Sequence, residues 1–174
     1  MTRVIEYVPD SQVDAVLDEQ MRALLAICFP GPLFKTQRYC HEMPSHRWLI
    51  RESGRMIAHV AFHDKRIGTT AGEFAIGGAA EVAVHPEFRG RGLVKELLRV
   101  AHAAFAVRGV PFAMLFGNAN VYRSSGYTSV MNPLRYFDSE SREWVVRPLD
   151  SAMVKRLGTT SWPDGEIDLK GPMF

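Results

Sequence analysis

The stretch EVAVHPEFRGRGLVKELLRVAHAAFAVRG, Glu81 to Gly109, constrains the chain more than any other. It reads as a strand, a turn and a helix in immediate succession. Val82 and Val84 are apolar and β-branched and mark the end of a buried strand. His85 to Gly92 carries Pro86, Gly90 and Gly92 and reads as a turn, with Arg89 and Arg91 set around the glycines. From Leu93 the period becomes helical. Leu93, Leu97, Ala101 and Phe105 recur along one side, widened by Val94, Leu98 and Ala104, with Lys95, Glu96, Arg99 and His102 opposite them.

A strand that feeds a glycine-rich, arginine-bearing turn into a helix N-terminus makes an anion site. The first helical N–H groups lack intrahelical partners, and the helix dipole favours negative charge there by about 0.3–1 kcal/mol. Glycine lets the backbone approach a phosphate, and arginine adds charge-assisted bonds. The plain alternative is a basic surface turn. The strand before it and the amphipathic helix after it favour the phosphate site. A P-loop is excluded because no Lys-Ser/Thr pair follows the last glycine, and the dinucleotide fingerprint lacks its third glycine.

Arg89-Gly90-Arg91-Gly92-Leu93-Val94, preceded by Val84-His85-Pro86, resembles the acyl-CoA signature of the GNAT superfamily of N-acetyltransferases. Val94 departs from the Gly or Ala preferred in that family, adding bulk while keeping the backbone N–H. The resemblance implies an α/β fold, a central mixed sheet flanked by helices. It implies acetyl-CoA as acyl donor, with Val82 and Val84 pairing to the pantetheine and the Val84 N–H polarising the thioester carbonyl. Arg89, Gly90, Arg91, Gly92, Leu93 and Val94 would hold the pyrophosphate.

The 174 residues suggest one domain, 1–174, with 159–174 an irregular Gly- and Pro-containing tail. A formal net charge of +2, with no basic run, does not favour a nucleic-acid partner. No apolar run is long enough to span a bilayer, and Met1 to Val8 lacks the pattern of a secretory leader. Cys28 and Cys40 give no disulfide framework and stand at no metal-ligand spacing, so a cytoplasmic protein with free thiols and no metal is expected. The oligomeric state is left open, a homodimer included.

Along the chain, Thr2 to Val8 reads as a first strand. Asp10 or Ser11 can cap a helix reaching about Ile27, with Val13, Val16, Leu17, Met21, Leu24 and Leu25 on its apolar stripe. Leu33 to Glu42 is ambiguous, with a short helix as one reading. Arg47 to Arg51 and Met56 to Ile67 read as strands around a tight turn, and Glu73 to Val84 as a third. The centre of that third strand, Gly77-Gly78-Ala79-Ala80, has almost no side-chain bulk and suggests a backbone surface against which a ligand could lie. Phe112 to Phe116 reads as a buried parallel strand. Gly117 to Asn120 opens a short helix that Gly126 ends. Tyr127 to Met131 and Glu143 to Val146 read as the last strands, and Leu149 to Leu157 as a last helix.

Acyl transfer to an amine requires the amine to lose a proton and the departing thiolate to gain one. An amine of pKa about 10.4 is neutral in roughly one molecule in 2,500 at pH 7, a penalty of about 4.6 kcal/mol. Glu81 is the candidate base, as GNAT enzymes frequently have a glutamate there; a solvated strand charge is the alternative. By strand alternation it faces away from Val84. Tyr122, in Tyr122-Arg123-Ser124-Ser125-Gly126-Tyr127, resembles the family's general acid; otherwise it is a packed aromatic. His59, His63, His85 and His102 read as surface or structural residues, His85 being the second choice of base.

The tail Trp162-Pro163-Asp164-Gly165-Glu166-Ile167-Asp168 is similar over a short span to the end of nodulation N-acyltransferases, and aminoglycoside 2′-N-acetyltransferases also finish in an acidic, aromatic tail. By that resemblance Trp162, Asp164, Glu166 and Asp168 would bind the acceptor; otherwise they form a strap anchored by Trp162. The expected function is acetyl transfer from acetyl-CoA to a primary amine of a small molecule, an amino sugar or aminoglycoside among them. A non-catalytic acyl-CoA-binding module and an N-acyltransferase with a longer acyl donor are the alternatives.

Overall fold

The computed structural model describes residues 4–174; Thr2 and Arg3, where the first strand was expected to begin, lie outside them. Strand β1 (Ile5–Pro9) is followed by helices α1 (Ala15–Cys28) and α2 (Leu33–Thr36), then strands β2 (His46–Glu52), β3 (Arg55–Thr69) and β4 (Gly72–Val84). Helix α3 (Leu93–Val107), strand β5 (Phe112–Phe116) and helix α4 (Ala119–Tyr122) come next. Strands β6 (Thr128–Ser129), β7 (Leu134–Asp138), β8 (Glu143–Arg147), β9 (Ala152–Arg156) and β10 (Ile167–Asp168) complete the described chain. The strands form a mixed sheet in the order β6-β9-β5-β4-β3-β10-β7-β8, with β2 also on β3 and β1 on β2. The fold is thus the mixed α/β arrangement expected. Two compact units divide it: the chain up to His63 with Ala80–Ala101, and Asp64–Ala79 with His102–Phe174.

In the first unit β1, β2 and the start of β3 form antiparallel ladders, Tyr7 opposite Trp48 and Trp48 opposite Val60. Ser53 and Gly54, joining β2 to β3, both have positive φ, 50° and 78°. That pair suits a two-residue hairpin whose twist matches its strands. Helix α1 buries Met21, Leu24 and Leu25 against Phe34, Leu49, Met56 and Ala83. Its cap is Asp14, whose carboxylate accepts the Leu17 N–H at 2.8 Å, and not Asp10 or Ser11. Asp10–Gln12 is instead a single 3-10 turn, and the Asp10 side chain is buried, bonded to Arg38 and Arg47. Val16, expected on the apolar stripe, lies in the first turn and is exposed.

In the second unit β4 runs parallel to β5 over Ile76–Gly78 and Phe112–Met114, where that ladder stops. Strand β9 lies between β5 and β6, antiparallel to both. The helix expected over Leu149–Leu157 is therefore a strand: Ala152, Met153 and Val154 are buried with ladder partners on either side, and that context overrides the helical propensity of Ala-Met-Val-Lys-Arg. The strand expected over Tyr127–Met131 shrinks to Thr128–Ser129, and β7 is an addition. Its pattern, Leu134 and Tyr136 buried between less buried neighbours, is legible in hindsight as strand alternation beyond the break at Pro133.

The tail is held down. Strand β10 pairs parallel with β7 and antiparallel with Gly68 of β3. Ile167 and Leu169 are fully buried with Ile76, Phe112 and Leu134. The Trp162 ring meets Phe112 edge-on at 5.0 Å, and its Nε1–H donates to Asn132 Oδ1 at 2.9 Å. The small residues of β4 are covered too. A Cβ at Gly77 would stand 3.1 Å from the Phe105 ring, and one at Gly78 2.8 Å from Phe174. The backbone surface read from Gly77 and Gly78 as open to a ligand is thus occupied by aromatic side chains of the chain itself.

Trp162→Ala should destabilise the protein by about 2–3 kcal/mol, since it opens a cavity against Phe112 at a half-buried site and leaves Asn132 Oδ1 without its donor. Urea unfolding checks this; Asp164→Asn and Glu166→Gln, at exposed positions, should change stability by no more than about 0.5 kcal/mol.

Candidate active site

The first unit carries the strand end, the turn and the start of α3. Val82 and Val84 are half-buried, while Ala83 between them packs with the α1 cluster. The Val84 carbonyl accepts the Cys28 thiol at 3.3 Å and the Arg89 Nε–H at 3.2 Å. His85 caps a 3-10 turn over Pro86–Phe88. Arg91 donates to the Glu87 carbonyl at 3.3 Å and lies over the Phe88 ring. Gly90 and Gly92 both have φ of +75°, and a Cβ at either would meet nothing within 4 Å. Their need for glycine is therefore conformational, and the space beside them is open, as a phosphate cradle requires. Gly92 starts the helix, its carbonyl accepting the Glu96 N–H at 3.1 Å. Leu93 is buried, anchoring the first turn, and Val94 is half-buried.

Glu81 is almost fully buried and its backbone is left-handed, φ 43°. That bend interrupts strand alternation, so the three-residue spacing to Val84 no longer dictates opposite faces. Its Oε1 accepts the Cys40 N–H at 3.0 Å, and its Oε2 has no hydrogen-bond partner among the described residues. Burial raises its pKa to about 7, against the lowering effect of the Cys40 N–H and Arg47 and with a smaller push upward from Asp10. A carboxyl poised there suits proton transfer at neutral pH.

Sequence reasoning missed what lies behind it. Arg47, read only as a strand residue, is fully buried; its Nε donates to Asp10 Oδ1 at 2.6 Å and its Nη1 to His59 Nε2 at 3.1 Å. His59 Nδ1 donates in turn to the Glu81 carbonyl at 2.9 Å. His59, His63, His85 and His102 are all buried, so none is a surface residue. The only signal available was an Arg and a His at core-facing positions of predicted strands.

The second unit carries Tyr122. Asn118 caps the short helix α4, accepting the Asn120 N–H at 2.9 Å, and Gly126 ends the segment at φ 89°. The Tyr122 ring lies so close to Gly117 that a Cβ there would be 2.4 Å from it. Burial raises the Tyr122 pKa. Tyr127 is fully buried, its hydroxyl 2.8 Å from His102 Nε2. His102, expected on the polar side of α3, is thus a core residue, and burial together with Lys155 lowers its pKa to about 3. In the tail, the Asp168 carboxylate is bonded to Arg135 at 2.9 Å, and Asp164 and Glu166 are exposed. Among the described residues no cluster of metal-ligating side chains occurs.

These shifts give stability a signed pH dependence. His59 and His102 have folded pKa values of about 3 against 6.5, so below pH 6.5 the unfolded chain binds protons the folded one refuses. Glu81, about 7 against 4.5, acts oppositely between those values. Stability should therefore fall on acidification by about 1.4 kcal/mol per pH unit between 6.5 and 4.5, one net proton, and roughly twice as steeply just below 4.5. Urea unfolding across pH checks the break in slope, which Glu81→Gln should remove.

Comparison with known proteins gives this site its context. An N-acetyltransferase of the GNAT family from Escherichia coli, YhbS in complex with CoA, superimposes with a TM-score of 0.68 at 16% identity, covering 96% of this chain and 89% of that one. A GNAT family acetyltransferase from Brucella melitensis in complex with acetyl-CoA gives 0.63 at 16% identity, with 95% and 96% covered. The ribosomal-protein-S18-alanine N-acetyltransferase from Escherichia coli gives 0.55 at 15% identity, with 91% and 97% covered. At such identities the likeness shows the fold. No curated protein matches the chain in sequence. Residues 10–130, well over half the chain, match the family model described as the acetyltransferase (GNAT) domain, and the chain that carries this strand, glycine turn and helix belongs to the GNAT acetyltransferases.

Proposed function

We propose that the protein transfers an acetyl group from acetyl-CoA to a primary amine of a small molecule by direct attack of the amine on the thioester. The observation that carries this reading is the pairing of a phosphate-ready turn with a buried carboxyl, Glu81, whose Oε2 is unpartnered and whose pKa is about 7. In two solved structures of the same fold the bound molecule is CoA or acetyl-CoA.

Each residue has a role in this reading. Arg89, Gly90, Arg91, Gly92, Leu93 and Val94 hold the pyrophosphate through backbone N–H groups, the helix N-terminus and arginine charge. Val82 and Val84 pair with the pantetheine, and the Val84 N–H polarises the thioester carbonyl where negative charge develops. Glu81 accepts a proton from the incoming ammonium, directly or through water, and Tyr122 donates its phenolic proton to the departing thiolate. The raised pKa of Tyr122 keeps that proton on the phenol until the thiolate forms. Asp164 and Glu166 remain free to meet a cationic acceptor such as an amino sugar, whereas Asp168 is engaged by Arg135.

Thiol release from acetyl-CoA across a panel of amino sugars, aminoglycosides and simple amines tests the function; CoA binding with no turnover on any amine would overturn it. Gly92→Glu should abolish CoA binding measured by calorimetry while the protein stays folded, because it adds strain at φ +75° and negative charge at the helix N-terminus. Tyr122→Phe should lower kcat roughly 10²–10⁴-fold, the span of a general acid. In the wild type kcat/KM should rise with pH through about 7 as Glu81 ionises, and Glu81→Gln should flatten that acidic limb.

A further inference from the structure

A glutamate at φ 43° is strained, by about 1–2 kcal/mol, and such a conformation persists only where its surroundings over-determine it. At Glu81 the surroundings are a relay of buried polar groups. Asp10, in the turn after β1, receives Arg47 Nε at 2.6 Å and Arg38 Nη2 at 2.7 Å. Arg47 is fully buried and also donates to the Arg38 carbonyl at 3.2 Å, so its fork is fixed at three points. A guanidinium has no acceptor to offer. His59 Nε2, 3.1 Å from Arg47 Nη1, must therefore be the acceptor, and the imidazole proton must sit on Nδ1. From there it donates to the Glu81 carbonyl at 2.9 Å.

We propose that His59 and Arg47, anchored by Asp10, are positioning residues for Glu81: the relay sets the His59 tautomer that holds the left-handed bend, resting one carboxylate oxygen on the Cys40 N–H and leaving the other open. The inference rests on the reading of Glu81 as the base. Stability alone is a poor reason for such a relay, because well-packed apolar residues commonly serve as well as a buried ion pair. The charged and titratable groups that act on Glu81 come from separate segments: Asp10 after β1, Cys40 before β2, Arg47 on β2 and His59 on β3. Burial and the Arg47 charge hold His59 neutral, its pKa about 3, so the relay keeps one protonation state across the working range.

The test combines two readouts that need no acceptor with one that does. Long-range ¹⁵N–¹H NMR should show His59 as the Nδ1–H tautomer from pH 8 down to about 4, and in Arg47→Lys a tautomer mixture, since the lysine cannot reproduce the fork. The ¹³C carboxyl signal of Glu81, assigned by its loss in Glu81→Gln, should titrate near pH 7 in the wild type. In His59→Leu it should fall toward the ordinary carboxylate range as the bend relaxes and water reaches the group. In His59→Asn, whose amide can replace Nδ1–H as donor, it should hold. With the best amine of the panel, His59→Leu should lose on the order of 10- to 100-fold in kcat, His59→Asn should stay within about threefold, and both should keep wild-type acetyl-CoA affinity. An Nε2–H tautomer in the wild type overturns the proposal. So do equal kinetics for His59→Leu and His59→Asn, or losses that merely track melting temperature; if Glu81→Gln still flattens the acidic limb, Glu81 as base survives that failure. Conversely, an acidic limb untouched by Glu81→Gln removes the base assignment, while the tautomer and carboxyl titrations judge the positioning separately.

Discussion

The Asp10–Arg47 ion pair is the constraint on which the first unit is arranged. Both side chains are buried, at 5% and 0% exposure, and each meets further partners that leave little freedom. Taking two charges out of water costs several kcal/mol per ion unless the geometry is excellent and every remaining donor is satisfied. Here the satisfaction is thorough. Arg38 closes the second oxygen of Asp10 and reaches Asp18 at 2.9 Å, while Asp18 also holds Arg22 at 2.7 Å. The turn after β1, helix α1, the loop before β2, and strands β2 and β3 are thereby tied to one set of charges.

In the proposed function the site divides its labour between backbone and side chains, and the division follows from chemistry. A pyrophosphate needs several N–H donors at once, and a helix start with two left-handed glycines supplies them without desolvating a charged side chain. A proton needs a group whose affinity matches the solution pH, and at Glu81 burial is the largest of the influences that lift the carboxyl. The turn is accordingly open and exposed while Glu81 is enclosed.

What was legible in the sequence was whatever depended on local spacing. The run from Val82 to Phe105 announced its strand, turn and helix because each rests on neighbours within a turn or two. The hairpin at Ser53-Gly54 and the helix stop at Gly126 were readable for the same reason. The relay behind Glu81 was not, since Asp10, Arg47 and His59 meet only after three segments fold together, and nothing local distinguishes a buried arginine from an exposed one. Strand β9 failed for a related cause: Ala-Met-Val-Lys-Arg carries helical propensity, and only the ladders on both its edges decide otherwise. The glycines of β4 misled in the opposite direction. Their lack of bulk was real, but Phe105 and Phe174 use it, and a sequence does not say which ring will fill a gap.

The contact between Gly117 and Tyr122 carries an evolutionary consequence. With a Cβ at Gly117 falling 2.4 Å from the ring, the two positions are not independent characters. A lineage that acquires any side chain at Gly117 must first, or together with it, shrink or shift the aromatic at Tyr122, and with it the phenol. Changes at the two positions should therefore come in pairs, and any residue larger than glycine at position 117 marks a chain with no room for the ring where it now lies.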